Sequence, residues 1–242
     1  MSDRDRKVIK TAMIMGAGLG TRMAPLTDTM PKPLVPFCGR PLIDHVLDRL
    51  VEAGVEKVVV NLHHFADKLE AHLAHEKRVE IVFSDERDAL LDTGGGVKKA
   101  LPLLGPDPFF VFNSDSVWTD GMVSPLPAMA SRWDSGKMDV LMMIASAVNT
   151  IGETRRGDFT MDPMGRLIRR QEGTVAPFMY AGVQILNPKL FEGAPDGAFS
   201  TNKMWDKAIE AGRLYGHRMD GVWMHLGTPG DIKAAEQFLT SL

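Results

Sequence analysis

Two hydrophobic regimes alternate along the first half of this chain. Short continuous apolar runs occur at residues 11–15, 58–62 (Val-Val-Val-Asn-Leu), 79–83 and 109–112 (Phe-Phe-Val-Phe). Runs of that length and composition suit strands buried on both faces. Between them apolar residues return every three or four positions: Ile43, Val46, Leu47, Leu50 and Val51 before Gly54; Phe65, Leu69 and Leu73; then Val97, Ala100, Leu101 and Leu104 before Gly105. That spacing predicts amphipathic helices, with the glycines as stops. Strand and helix in strict alternation predict a parallel sheet with right-handed crossovers, the 109–112 strand being bulky enough to be central.

After residue 120 the pattern changes. A helix is expected around 128–133 and a strand over 139–145. The stretch 157–161, the turn Asp162-Pro-Met-Gly165 and 166–169 read as a β-hairpin, and 179–186 as a longer strand. Together these predict an antiparallel annex to the main sheet. Helical stretches are expected near 188–191 and 202–211, followed by an extended segment to Met219. Ile232, Ala235, Phe238 and Leu239 give a last amphipathic helix. No internal repeat or linker interrupts the 242 residues, so a single domain over 1–242 is expected.

Composition narrows the function more than the fold. A formal net charge of -3 supplies no basic field for nucleic acid or membrane surfaces. The one cysteine, Cys38, cannot form an intrachain disulfide, and the polar opening Met1-Ser-Asp-Arg-Asp-Arg-Lys7 lacks a signal-peptide core. A cytoplasmic protein, monomer or homodimer, is expected.

Candidate chemistry concentrates after the first strand, in Gly16-Ala17-Gly18-Leu19-Gly20-Thr21-Arg22, continued by Pro31-Lys32-Pro33. Glycines without Cβ let backbone N–H groups converge on an anion, while Arg22 and Lys32 add a planar fork and a point charge. A dinucleotide fingerprint fails, because its last glycine falls on Thr21 or Met23. A P-loop fails too, because Gly-Lys-Ser/Thr is absent. Asp115 follows the 109–112 strand, where open α/β sheets place ligands, and is equally placed to cap a turn.

These segments, with Pro25-Leu-Thr, Asp92-Thr-Gly-Gly-Gly96, Asn113-Ser-Asp115, Arg156-Gly-Asp-Phe159, Phe191-Glu-Gly and Trp223-x-x-x-Gly-Thr-Pro229, resemble the bacterial sugar-1-phosphate nucleotidyltransferases. In order and spacing the chain is most similar to the short N-acetylmuramate 1-phosphate uridylyltransferases. The resemblance implies an α/β fold: a Rossmann-like three-layer sandwich with a mixed, mostly parallel central sheet and a small antiparallel annex. It implies a nucleotide-binding half over about 11–120 and a sugar-binding half over about 121–242. The reaction implied is attack of a sugar 1-phosphate on the α-phosphorus of a nucleoside triphosphate, which needs no general base because a phosphate monoester is already anionic.

By the same resemblance Arg22 and Lys32 are catalytic. Gly16, Ala17, Gly18, Gly20, Thr21, Thr93, Gly94 and Gly95 bind the nucleotide, while Asn113, Gly157, Asp158, Glu172 and Gly182 border the sugar. Asp115 would hold Mg²⁺, with Mn²⁺ as a substitute. One residue departs from the pattern: relatives usually carry an aspartate, the second metal ligand, where this chain has His225. An imidazole suits magnesium poorly, so His225 is a weak or water-mediated ligand, a sign of altered metal preference, or structural. Alternatives to the uridylyl reaction are guanylyl or uridylyl transfer to mannose or glucose 1-phosphate, and a non-catalytic sugar-nucleotide sensor.

Overall fold

The computed structural model describes residues 8–152 and 156–241, so the polar opening lies outside the described residues. In chain order the strands are β1 (Thr11–Met15), β2 (Pro36–Phe37), β3 (Arg40–Pro41), β4 (Lys57–Leu62), β5 (Glu80–Asp85), β6 (Phe109–Asn113), β7 (Ser116–Trp118), β8 (Val140–Ser146), β9 (Thr150–Ile151), β10 (Phe159–Met161), β11 (Leu167–Arg169), β12 (Phe178–Leu186), β13 (Leu214–Arg218) and β14 (Trp223–His225). The α-helices are α1 (Leu42–Glu52), α2 (Ala66–Leu73), α3 (Asp92–Leu104), α4 (Pro125–Arg132), α5 (Asn202–Glu210) and α6 (Pro229–Thr240).

The apolar runs form the sheet for the reason their pattern suggests: both faces are covered. Ile14, Val60, Phe112 and Met143 face a layer built from α1, α2 and α4. Met13, Val59, Val111 and Met142 face the opposite layer, which includes α3 and α5. Burial on both sides explains why these strands lack the alternation of a half-exposed strand. The result is the expected three-layer arrangement around a mixed central sheet.

Strands β6, β1, β4 and β5 run parallel in that order. The chain moves from β1 outward to β4 and β5, then returns to the other side of β1 as β6. That reversal creates a crevice at the carboxyl ends of β1 and β6, the usual ligand site of an open α/β sheet.

The long strand 178–186 differs from the expected annex: β12 is an interior strand of the main sheet, antiparallel to both β6 and β8. An apolar run does not encode its partners, so interior and annex strands look alike in sequence. The annex proper is the β10–β11 hairpin, which pairs with the beginning of β12 beyond the end of β6. The hairpin thus stands over the crevice. Gly182, at φ +74, sits in the irregular stretch of β12 where pairing to β8 shifts register. A side chain there would collide with Ser116 of β7.

The helical stretch expected near 188–191 is a short 3-10 helix, Pro188–Phe191. Helix α3 starts at Asp92, and the Thr93 hydroxyl accepts a hydrogen bond from the Thr201 N–H at 2.9 Å. A small sheet of β7, β14 and β9 carries the C-terminal segment back against the crevice. Among the described residues no helix is long and apolar enough to cross a membrane.

Candidate active site

The carboxyl ends of the parallel strands deliver Gly16, Asn61, Glu86 and Asn113 to one place. A buried network joins the first three. Asn61 accepts from the Gly16 N–H through Oδ1 at 2.7 Å and donates through Nδ2 to Glu86 Oε1 at 2.7 Å. The other Glu86 oxygen accepts from the Leu91 N–H at 3.3 Å. Asn61 and Glu86 are each 1% exposed, so the glycine loop and the loop before α3 are tied together by fully desolvated polar groups.

Over this network lies a cavity of about 370 Å³, lined by Ala17, Gly18, Gly20, Thr21, Arg22, Lys32, Glu86, Leu90, Thr93, Asn113 and Asp115. The expected loop residues are therefore assembled, with three exceptions. Gly16 lies beneath the loop and its N–H is taken by Asn61. Gly94 and Gly95 direct their N–H groups at the Phe199 carbonyl, at 2.8 and 3.0 Å. Side chains at those two positions would strike Phe199 and the Gly197 carbonyl. Their smallness serves the seam between α3 and the 197–199 segment, a use that a glycine run does not distinguish in sequence from approach to a ligand.

Lys32 and Asp115 form the floor of the cavity. Lys32 Nζ donates to Asp115 Oδ2 at 2.5 Å, and both side chains are largely buried. Burial alone would raise the Asp115 pKa. The Lys32 ammonium and the His225 imidazole outweigh it and hold the carboxyl below its usual range. Arg22 is exposed on the rim and has no acidic partner among the described residues. It and His225 converge: a carbon placed on Gly227 would lie 3.3 Å from Arg22 Nη1 and 2.7 Å from His225 Nε2.

A second cavity, of about 400 Å³, opens on the other side of the same carboxylate. It shares Asn113 and Asp115 with the first, and adds Asp158, Arg169, Tyr180, Gly182, Asn202, Trp205 and His225. Asp158 accepts from the Tyr180 N–H at 2.9 Å. The Tyr180 hydroxyl is buried without a hydrogen-bond partner, and burial together with Asp115 pushes its pKa up, which keeps it a neutral donor. Gly157 is buried at φ +71 against the Ala176 carbonyl and shapes the turn that presents Asp158. Glu172 falls outside this assembly, in an exposed turn beyond β11.

The donor set limits any metal. Among the described residues no three His, Cys, Asp or Glu side chains gather into a cage. One ionised, buried carboxylate suits a cation such as Mg²⁺ that completes its shell with phosphate oxygens and water.

Asn61, Glu86, Arg169 and Trp205 carry roles that sequence reasoning missed. For Asn61 and Glu86 a signal existed: each is a polar residue at the end of an apolar strand, the same mark that singled out Asp115.

Two cavities that share Asn113 and Asp115 at an α/β switch point, with Lys32 paired to that carboxylate, are the arrangement of a two-substrate site. The chain belongs to the nucleotidyl transferase family, whose profile matches residues 11–241. It is 46% identical to N-acetylmuramate alpha-1-phosphate uridylyltransferase of Caulobacter vibrioides, over 94% of this chain and 96% of that one. It is 32% identical to mannose-1-phosphate guanyltransferase of Hypocrea jecorina, over 91% of this chain but 61% of that one. The inositol-1-phosphate CTP transferase from T. maritima shares the fold, with a TM-score of 0.79 at 17% identity over 98% of this chain and 96% of that one.

Proposed function

We propose that this protein transfers UMP from UTP to N-acetylmuramate 1-phosphate, forming a nucleotide sugar and releasing pyrophosphate. The observation that carries this reading is the junction of the two cavities at Asn113 and Asp115, where Lys32 pairs with the carboxylate from the first. The choice of substrates follows the Caulobacter vibrioides relative, which matches along nearly its full length.

In this reading the first cavity takes the triphosphate and the second the sugar phosphate, corresponding to the two halves of a single domain. A phosphate oxygen of the sugar phosphate attacks the α-phosphorus, and the bond to the β-phosphate breaks. The electron pair leaves with pyrophosphate and no proton need move. Lys32 neutralises charge that builds on the α-phosphate, and Arg22, free of protein carboxylates, grips the departing pyrophosphate. The amides of residues 17–21 support the phosphates. Asp115 would hold a divalent cation, with His225 beside it; such an ion supplies charge neutralisation and alignment of phosphate oxygens. At the base end Leu90 offers an apolar surface, and the Glu86 carboxylate is an acceptor suited to a base with a ring N–H, such as uracil, rather than cytosine.

With these substrates, this reading puts the protein in the cytoplasm and in reuse of cell-wall sugars. The test is pyrophosphate release across UTP, GTP, dTTP and CTP paired with N-acetylmuramate, mannose and glucose 1-phosphates, in Mg²⁺ or Mn²⁺. Highest kcat/KM is expected for UTP with N-acetylmuramate 1-phosphate. A preference for GTP with mannose 1-phosphate would overturn the substrate choice. Nucleotide-sugar binding with no release from any pair would overturn catalysis.

A further inference from the structure

The second cavity contains a guanidinium that the transfer chemistry does not use. Arg169 lies on β11 opposite Phe159 and lines the cavity with Asn202, Trp205 and Asp158. Its plane is braced by aromatic neighbours, 5.7 Å from the Phe159 ring centre and 6.0 Å from that of Trp205. Nε and Nη2 both donate to a single oxygen, Oδ1 of Asp206, at 3.2 and 2.8 Å, and Nη1 reaches Asn202 Oδ1 at 3.4 Å. A guanidinium has five N–H donors in a fixed fork, so this arrangement leaves donors unused. The Asp206 side chain is 57% exposed, and an ion pair that wet is screened and readily shared.

The charges around the cavity make Arg169 distinctive. Asp115 is neutralised by Lys32, and Asp158 is occupied through Oδ2 by the Tyr180 N–H. No other arginine or lysine lines this cavity among the described residues. A sugar whose only anion is its 1-phosphate carries that anion to the α-phosphorus beside Lys32, where the two cavities meet. A second fixed cation, at a distance along the cavity wall, is of use to a sugar that carries a second anion. N-acetylmuramate is such a sugar: its lactyl ether ends in a carboxylate, which glucose, mannose and N-acetylglucosamine lack.

We propose that Arg169, braced by Phe159 and Trp205, is a carboxylate subsite that selects a sugar 1-phosphate with an acidic substituent. The proposal rests on the functional reading above and names the residue that separates its candidate sugars. The incoming carboxylate shares or displaces Asp206 on the guanidinium fork, a bidentate geometry that lysine cannot reproduce. No bond is made or broken in this step.

The test is steady-state kinetics of the full chain with UTP and either N-acetylmuramate 1-phosphate or N-acetylglucosamine 1-phosphate, which differ in the lactyl group alone. In Arg169→Gln the ratio of kcat/KM for the first over the second is expected to fall about 10- to 100-fold, chiefly through KM, as for loss of charge-assisted hydrogen bonds. Arg169→Lys should recover part of the ratio. Asp206→Asn keeps the guanidinium and removes its competitor, so the ratio should hold or rise. A merely structural ion pair would make Arg169→Gln and Asp206→Asn alike and leave the ratio unmoved, which would overturn the subsite. A wild-type preference for the uncharged sugar would also overturn it, while leaving nucleotidyl transfer intact. If the wild type transfers to neither sugar, calorimetry with the two corresponding UDP-sugars decides the subsite separately: equal affinity in wild type and Arg169→Gln for the carboxylate-bearing one refutes it.

Discussion

Lys32 Nζ lies 2.5 Å from Asp115 Oδ2, although the two residues are 83 positions apart in sequence. The phosphate loop and the end of β6 are thereby locked together at the point where the two cavities join. Each partner offsets the other's desolvation, and removing one leaves a buried, unpaired charge. For such pairs that costs about 3–5 kcal/mol. Lys32→Ala is therefore expected to lower both the urea midpoint and kcat, the latter by about 100-fold or more. Lys32→Ala with Asp115→Asn together should regain part of the stability and none of the turnover. Equal stability of Lys32→Ala and wild type in urea unfolding would contradict the pairing.

The glycines divide into two mechanical classes. A Cβ at Gly18 meets nothing within 4 Å, whereas one at Gly95 runs into the Gly197 carbonyl. Gly18→Ala should fold like wild type but raise the KM for the nucleotide, because the added methyl projects where phosphates are expected. Gly95→Ala should lose thermal stability by pushing α3 away from the 197–199 segment. Thermal unfolding and nucleotide titration of both variants separate the classes.

Tyr180 is held at a cost. A buried hydroxyl without a partner forfeits about 1–3 kcal/mol, and the ring is already anchored edge-on to Trp205 at 5.0 Å. Tyr180→Phe is expected to raise the melting temperature while raising the KM for the sugar phosphate and sparing that for UTP. A lower melting temperature would show that the hydroxyl is satisfied in the protein.

His217 sets an acid limit on stability. Burial, reinforced by Arg132 and opposed by Asp220, depresses its pKa from 6.5 to about 4. The unfolded chain then takes up the proton first. The neutral form favours folding fully above pH 6.5, and that contribution is lost as the pH falls through 6.5 towards 4. His217→Met should flatten the stability profile in that window. Identical slopes for variant and wild type in urea unfolding at several pH values would rule this out.

The periodicities of 43–51 and 97–104 were sufficient to read α1 and α3, and the apolar runs to read β1, β4 and β6, because each pattern reports burial on a known number of faces. The same logic located Asp115 and the glycine loop, both direct products of strand ends. Pairing was not legible. β12 is an interior strand by virtue of partners 71 to 77 residues away in β6, and the Asn61–Glu86 network exists because β4 and β5 are neighbours in the sheet. Nothing in the hairpin's own sequence marks Arg169, whose place in the second cavity depends on the hairpin standing over the crevice. Sequence gives burial and local geometry, and this site depends on which ends the topology brings together.

Base and sugar are expected in different cavities, with the phosphates bridging them at Asp115 beside Lys32. A crystal structure with UDP-N-acetylmuramate bound should place uracil beside Glu86, Leu90 and Thr93, the diphosphate against Lys32, the ring beside Asp158 and Tyr180, and the lactyl carboxylate on Arg169. A base found in the Asp158–Trp205 cavity, or a sugar lodged with the base beside Glu86, would contradict this arrangement.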